Sequence, residues 1–257
     1  MNLFMASRHL NEMAPVHFLV TGALDSPMGL VSSKVRQLQT LQTFESIRAV
    51  LPSARIHYVD AGATSRDSSL GLEDIGLHVD SVLDLRGSDF VAEKLSALTE
   101  LSHSNTTQSA ITKSLLESYS YQRFFSSKDL PDVDGIVLKL SARYKIGRRV
   151  LMNLRSWVAS DLPYLSSKAR KSYLKSATVS SLMYRRTVLW GLRSRQVSGF
   201  LKINEDMMAL LGAKSLSDEP FDLEHAFCSA LPNESIFGVN RLYVSGQVAS
   251  FGRTIRL

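Results

Sequence analysis

The chain has a single cysteine, Cys228, among 257 residues. An intrachain disulfide and a cysteine-only metal cluster are therefore excluded, and a reducing compartment fits, with Cys228 as a small core filler. No apolar run approaches the roughly 20 residues that a membrane-spanning helix requires. Met1 to Ala14 is broken by Arg8, His9, Asn11 and Glu12 and reads as a flexible leader rather than a signal peptide. No Gly-x-Gly-x-x-Gly follows the first apolar run, and no phosphate loop ends in Gly-Lys-Ser/Thr, so the common dinucleotide and P-loop readings lose their main support. A Gly-x-Ser-x-Gly elbow and a His-Glu-x-x-His zinc helix are also missing. The six histidines, at 9, 17, 57, 78, 103 and 225, are scattered without ligand spacing. Internal repeats and low-complexity segments are lacking too.

What is present is an ordinary globular composition, 44% hydrophobic and 21% charged, in a chain long enough for one sizeable domain. The net charge of +6 becomes informative once located. Lys139 to Phe200 holds fourteen Lys and Arg against one acid, Asp161, a local excess of +13, so the remainder carries −7. Such polarity points to an anionic partner, whether a phosphate-bearing small molecule, an anionic lipid surface or nucleic acid. A solvated helical face with long basic side chains accounts for many of the same residues.

Val16 to Leu24 reads as a first strand. The helical spacing of Val35, Leu38, Leu41, Phe44 and Ile47 follows it, capped by Ser32 or Ser33 and stopped by Pro52, and Arg55 to Val59 makes a second strand running into Asp60. Strand, helix and strand within about 45 residues form a βαβ unit, which implies a parallel sheet. Ser81 to Leu85 reads as a third strand. Phe90 to Leu101 and Ser109 to Phe125 read as helices. The densest apolar run, Ile136, Val137, Leu138 and Leu140, is entered through Asp134-Gly135 and breaks into Ser141, Arg143, Tyr144 and Lys145. That pattern suits a buried strand ending in a site, because open α/β sheets bind ligands beyond the carboxyl ends of their strands. Val150 to Val158, Ala169 to Leu174 and Ser180 to Leu192, in the basic segment, read as mixed or helical, Val197 to Ile203 as a strand, and Asn204 or Glu205 to Leu211 as a short helix ended by Gly212. Phe221 to Leu231 reads as a helix led by Asp222, and Leu242 to Val248 as a last strand.

Polar residues thus gather at strand ends: Thr21, Asp60, and Ser141 with Arg143 and Tyr144. Arg36 lies early in the first helix, and Asp222 and Glu224 stand beside His225. A diphosphate-bearing donor needs cations for its phosphates, an acid for its ribose hydroxyls, and a carboxylate or histidine as base for an incoming hydroxyl. Each residue also has an ordinary role. Asp60 suits a turn, Asp222 suits a helix cap, and Glu224 with His225 suits an exposed pair.

The order of five short motifs resembles small bacterial and viral polysaccharide glycosyltransferases of the GT-A type. Arg36-x-x-Gln39-Thr40-x-x-Thr43-x-x-Ser46-Ile47-Arg48 comes first, followed by Leu51-Pro52-x-Ala54-x-Ile56 with Asp60. Lys113-Ser114-x-x-Glu117 is similar to the family's Lys-Ser-x-Gly-Glu helix, with Leu116 in the glycine's place. Lys139-Leu-Ser-Ala-Arg-Tyr144 is similar to its Lys-Ile-Ser-Gly-Arg-Tyr strand end. Asp222-Leu-Glu-His225, with Val244-x-Gly246-x-x-Ala249-x-x-Gly252, resembles its closing helix and strand. The resemblance spans roughly residues 16 to 252.

It implies an α/β fold with a mostly parallel, Rossmann-like central sheet in a single domain over 15–257, the nucleotide-binding half at about 15–146 and the acceptor half at about 147–257. The implied activity is transfer of a sugar from a nucleotide-sugar donor to a hydroxyl of a cell-surface polysaccharide or glycolipid. The setting is cytoplasmic, at the inner face of the membrane, with peripheral contact to anionic lipid and no nucleic acid. Asp60 and Thr21 are assigned to the nucleoside. Arg36, Lys113, Lys139 and Arg143, with Ser141 and Tyr144, are assigned to the phosphates and sugar, and Glu224 or Asp222, with His225 as a rival, to base catalysis. Two departures stand out. The Asp-x-Asp motif that carries Mg or Mn in GT-A enzymes is missing at the end of the Val137 to Leu140 strand, where Ser-Ala-Arg-Tyr stands instead, so metal ligands are expected to be none, since a hard cation wants carboxylate oxygens. Ala142 replaces glycine at the strand end, restricting close backbone approach there. A basic nucleic-acid-binding or scaffold protein, and a catalytically inactive glycosyltransferase-like binding module, are the other readings.

Overall fold

The computed structural model describes residues 15–25, 31–63, 69–100, 106–127, 135–172, 182–215, 221–247 and 254–257. The leader, Asp134, His103, Ala249 and Gly252 lie outside them. Strand β1 (Val16–Gly22) leads to helix α1 (Ser33–Val50), and β2 (Arg55–Asp60) to α2 (Ser69–Gly76). After β3 (Ser81–Asp84) come α3 (Asp89–Glu100) and α4 (Thr106–Phe125), then β4 (Ile136–Ser141) and β5 (Tyr144–Ile146). The second half runs α5 (Val150–Val158), β6 (Tyr164–Ser167), β7 (Arg170–Lys171), β8 (Met183–Tyr184), β9 (Leu189–Arg193), α6 (Val197–Lys214), α7 (Leu223–Ala230), β10 (Ile236–Val239), β11 (Val244–Gln247) and β12 (Thr254–Arg256).

Seven strands form the main sheet in the order β10-β6-β9-β4-β1-β2-β3. β1 pairs in parallel with β2 and β4, while β9 runs antiparallel between β4 and β6. The expected α/β class with a mostly parallel central sheet is what the chain adopts. β1 and β4 are apolar almost throughout because helices cover both faces. Phe18 and Val20 meet Phe44 and Ile47 of α1 on one side. Leu19, Val59 and Val137 pack with Leu115, Phe200 and Phe227, brought by α4, α6 and α7, on the other. The register sets Thr21 opposite Ser141 and Gly22 opposite Asp60, so the polar strand ends meet at one edge.

Ser32, rather than Ser33, caps α1 by accepting the Val35 amide. The strand expected at Val197 to Ile203 and the short helix expected after it are one helix, α6. Its buried stripe is Phe200, Asn204, Met207 and Leu211, a helical spacing whose second member is polar. Asn204 is fully buried and donates to the Ser118 carbonyl at 3.0 Å and to Gln122 at 3.2 Å, fastening α6 to α4. Among the described residues between α5 and Ser194, the basic segment forms short strands and one central strand, β9, and no helix. A second sheet, β12-β11-β5, is antiparallel and braces the end of β4. None of the described helices is long and apolar enough to cross a membrane.

Candidate active site

At the carboxyl ends of β1 and β4 lies a cavity of about 190 Å³ lined by Thr21, Arg36, Lys113, Glu117, Ser141 and Arg143, among others. Helix α1 supplies Arg36. Its guanidinium donates to the Ala23 carbonyl at 3.1 Å and the Val31 carbonyl at 3.3 Å, which orients it across the loop after β1. Desolvation, then the charge of Arg143, pulls Arg36 below the usual arginine range. Lys113, on α4, is held below the ordinary lysine range by desolvation and by the charges of Arg143 and Arg36. Three cations thus face one space at mutual electrostatic cost, a configuration that an anion relieves.

The turn carrying Arg143 is built by backbone bonds. The Ala142 amide donates to the Thr21 carbonyl at 2.9 Å, and the Arg143 amide to the Ser141 carbonyl at 2.8 Å. Thr43 of α1 donates to the Ala142 carbonyl at 3.0 Å. The alanine at 142 fits because the glycine stands on the opposing strand: a Cβ on Gly22 would come within 2.9 Å of the Ala142 Cβ and 2.7 Å of the Tyr58 hydroxyl. On the other flank, Gly246 of β11 presses against the Arg143 carbonyl and the Tyr144 ring, leaving no room for a Cβ. Tyr144 is consequently buried, with its hydroxyl pushed up by desolvation, and it does not line the cavity.

Lys139 is fully buried. Its ammonium donates to Ser141 Oγ and the Thr187 carbonyl, both at 2.7 Å, and pairs with Glu117 Oε1. Three partners use all three of its hydrogens. Glu117 also accepts from Tyr121 at 2.8 Å and Thr21 at 3.3 Å. Lys139 therefore reaches the cavity through Glu117 and Ser141. Burial lowers its pKa, partly countered by Glu117 and, less strongly, Glu224.

Asp60 is fully buried, and its oxygens are taken by the Gly62 amide at 2.7 Å, the Tyr58 hydroxyl at 2.9 Å and the Leu24 amide at 3.1 Å. It ties the loops after β1 and β2 into the cavity floor and does not line the cavity. Desolvation raises its pKa against those hydrogen bonds.

Beyond Lys139 stands the start of α7. Asp222 caps it, accepting the Glu224 amide at 3.0 Å and the His225 amide at 3.2 Å. His225 is buried between Asp222 Oδ1 at 2.6 Å and Ser172 Oγ at 2.9 Å. Both side chains are thereby engaged. Glu224 differs. Desolvation and the neighbouring Asp222 push its carboxyl up to about 7, opposed by the Thr187 amide and by Arg186. Ser114 of α4 accepts the Leu223 amide at 2.8 Å, so the helix that presents Lys113 also sets the position of Glu224.

The structure brings Thr21, Arg36, Lys113, Ser141 and Arg143 together at the cavity and keeps Asp60, Lys139 and Tyr144 behind it. Glu117, Tyr121 and Arg186 belong to the same charge network and were not assigned from sequence. The helical ladder Lys113, Glu117, Tyr121, at i, i+4 and i+8, was the available signal. Among the described lining residues the carboxylates are Asp25 and Glu117, Glu117 Oε1 is already shared by three donors, and three cations face the same space, so the described set is poor in the oxygen ligands a divalent cation takes.

No protein-family model matches the sequence, and no curated protein matches it either. Among solved structures, the fold is similar to that of the galactosyltransferase LgtC in complex with donor and acceptor sugar analogs, at 12% identity and a TM-score of 0.51, over 85% of this chain and 72% of that one. It is also similar to the mannosyltransferase Ktr4p from S. cerevisiae in complex with GDP, at 11% identity and a TM-score of 0.50, over 92% of this chain and 76% of that one. At such identities the likeness is one of fold, and the fold is that of the GT-A glycosyltransferases.

Proposed function

We propose that this protein transfers a sugar from a nucleotide-sugar donor to a hydroxyl of a glycan or lipid-linked glycan, without a bound metal. The observation carrying this reading is the cavity at the ends of β1 and β4, where Arg36, Lys113 and Arg143 crowd together at electrostatic cost. A donor diphosphate neutralises them, and their charges offset the negative charge that develops on the departing nucleoside diphosphate. Arg143 offers a bidentate fork for phosphate oxygens. Thr21 and the Asp60-tied loops hold the nucleoside. Lys139, through Glu117 and Ser141, keeps the sugar-facing wall in place. Glu224, with its carboxyl near 7, accepts the proton of the acceptor hydroxyl, while Asp222 and His225 fix its helix.

The first test is a thermal-shift panel of UDP, GDP, CDP and dTDP. One of them is expected to raise the midpoint, because a ligand that binds only the folded state stabilises it. Arg143→Gln should diminish that shift. The absence of any shift would remove the donor reading. Transfer assayed in excess chelator should remain complete, and loss of turnover there would sink the cationic account of the diphosphate site.

A further inference from the structure

A second concavity, a groove of about 900 Å³, opens on the other side of the β4 end, walled by the 147–149 turn, the end of β6, Arg186 and the loop between β10 and β11. Five arginines line it, Arg148, Arg149, Arg170, Arg186 and Arg241, and no acidic side chain does among the described lining residues. Its walls are fastened together. The Gly147 amide donates to the Tyr243 carbonyl at 2.9 Å, Asn153 to the Arg241 carbonyl at 2.7 Å, and Arg170 to the Asn240 carbonyl at 3.2 Å. Tyr243 holds a left-handed backbone, φ 56°, unusual for a non-glycine residue and maintained by that brace. The Arg186 amide donates to Ser167 Oγ at 2.9 Å, and Arg186 is close enough to Glu224 to oppose its rise in pKa. Glu224 lines neither concavity; Arg186 is its charged neighbour on the groove side.

We infer that this arginine-lined groove binds an anionic sugar chain, one bearing carboxylate or phosphate groups, and presents it as the acceptor. The acceptor role rests on the transfer reading above, whereas the ligand class rests on the groove itself. Five guanidiniums suit oxyanions at several positions along a chain, each able to grip two oxygens. Asn240 and Ser245 offer neutral hydrogen-bonding partners for a sugar. Of the apolar lining residues, Ile146, Leu242 and Val244 are buried in the floor and Tyr243 and Leu257 are half-buried, so among the described residues no exposed large apolar side chain lines the groove for insertion into a bilayer. A braced groove of this size matches a ligand pocket better than a flat contact with headgroups.

The test is fluorescence anisotropy on the full chain with labelled tetragalacturonate, a phosphorylated tetrasaccharide and neutral maltotetraose. At least one anionic chain should bind about tenfold or more tighter than maltotetraose. The pair of substitutions Arg148→Gln and Arg241→Gln, both at exposed positions, should remove about that factor with the melting temperature unchanged. Arg170→Gln serves as an independent second variant. Whichever charged chain binds tells carboxylate from phosphate. Equal affinity for all three chains, or indifference to both sets of substitutions, overturns the inference. So does arginine-dependent binding of phosphatidylglycerol vesicles without binding of either anionic chain. Anionic binding through these arginines, with no response to any nucleoside diphosphate, supports the groove's ligand while sinking the transfer reading. The reverse pattern sinks the groove alone.

Discussion

Glu224 is where chemistry and stability pull in opposite directions. Its carboxyl sits near 7 in the folded chain against an ordinary 4.5. The folded state therefore holds this proton more tightly than the unfolded state between those values, and the ionised form costs stability, up to about 3 kcal/mol above pH 7. Glu224→Gln should consequently raise the melting temperature at pH 8, with the gain fading as pH falls toward 4.5. The same variant should lower turnover by about a hundredfold or more while leaving nucleotide binding intact. Wild-type turnover should climb with pH and reach half its maximum near 7. A flat profile, or unchanged turnover in the variant, would take Glu224 out of the mechanism. Glu117 poses the complementary case. Replacing it by Gln leaves Lys139 charged in the core without its counter-ion, a loss of about 3 kcal/mol readable by denaturant unfolding. Sequence resemblance assigns Lys139 to the phosphates and sugar, whereas its ammonium pairs with Glu117, because a lysine in an apolar strand looks the same whether its ammonium meets a phosphate or a glutamate.

At the scale of elements, the end of β4 depends on the small sheet beside it. β11 approaches β5 so closely that Gly246 touches the Arg143 carbonyl and the Tyr144 ring. Gly246→Ala should push the Arg143 turn aside, costing about 1–3 kcal/mol in overpacking and weakening nucleotide binding as well. Loss of stability with unaltered nucleotide affinity would show that the brace does not set the cation. The βαβ opening and the β4 strand were legible because continuous apolar runs and a capped, proline-stopped helix leave little choice. Helix α6 was misread because Asn204 interrupts its stripe, and its reason for being buried, the Ser118 carbonyl, lies 86 residues away in sequence. The β7 to β9 strands read as mixed or helical because they are short, and β6 goes unassigned for the same reason.

Across the whole molecule, strands β1 and β2 of the first half and β6 and β9 of the second belong to one sheet, joined at the β4–β9 pair. Such continuity should make unfolding a single cooperative transition. Calorimetry is expected to show one peak with matching calorimetric and van't Hoff enthalpies, and two resolved peaks would break the single-domain reading. The charge asymmetry seen in the sequence also acquires a shape here. Lys139 and Arg185 turn inward, Arg143 faces the cavity, and Arg148, Arg149, Arg170 and Arg186 face the groove. The order of apolar runs, turn residues and charges determined by itself that the chain folds around an α/β core, that it carries a basic segment suited to an anionic partner, and that polar residues close its best strands, since burial and periodicity act locally. Tertiary structure alone decided which of those polar residues share a cavity and which are consumed behind it. Register, the close approach at Gly22 and Gly246, and desolvation depend on segments a hundred residues apart, and these fix where each charge points and how readily it holds a proton.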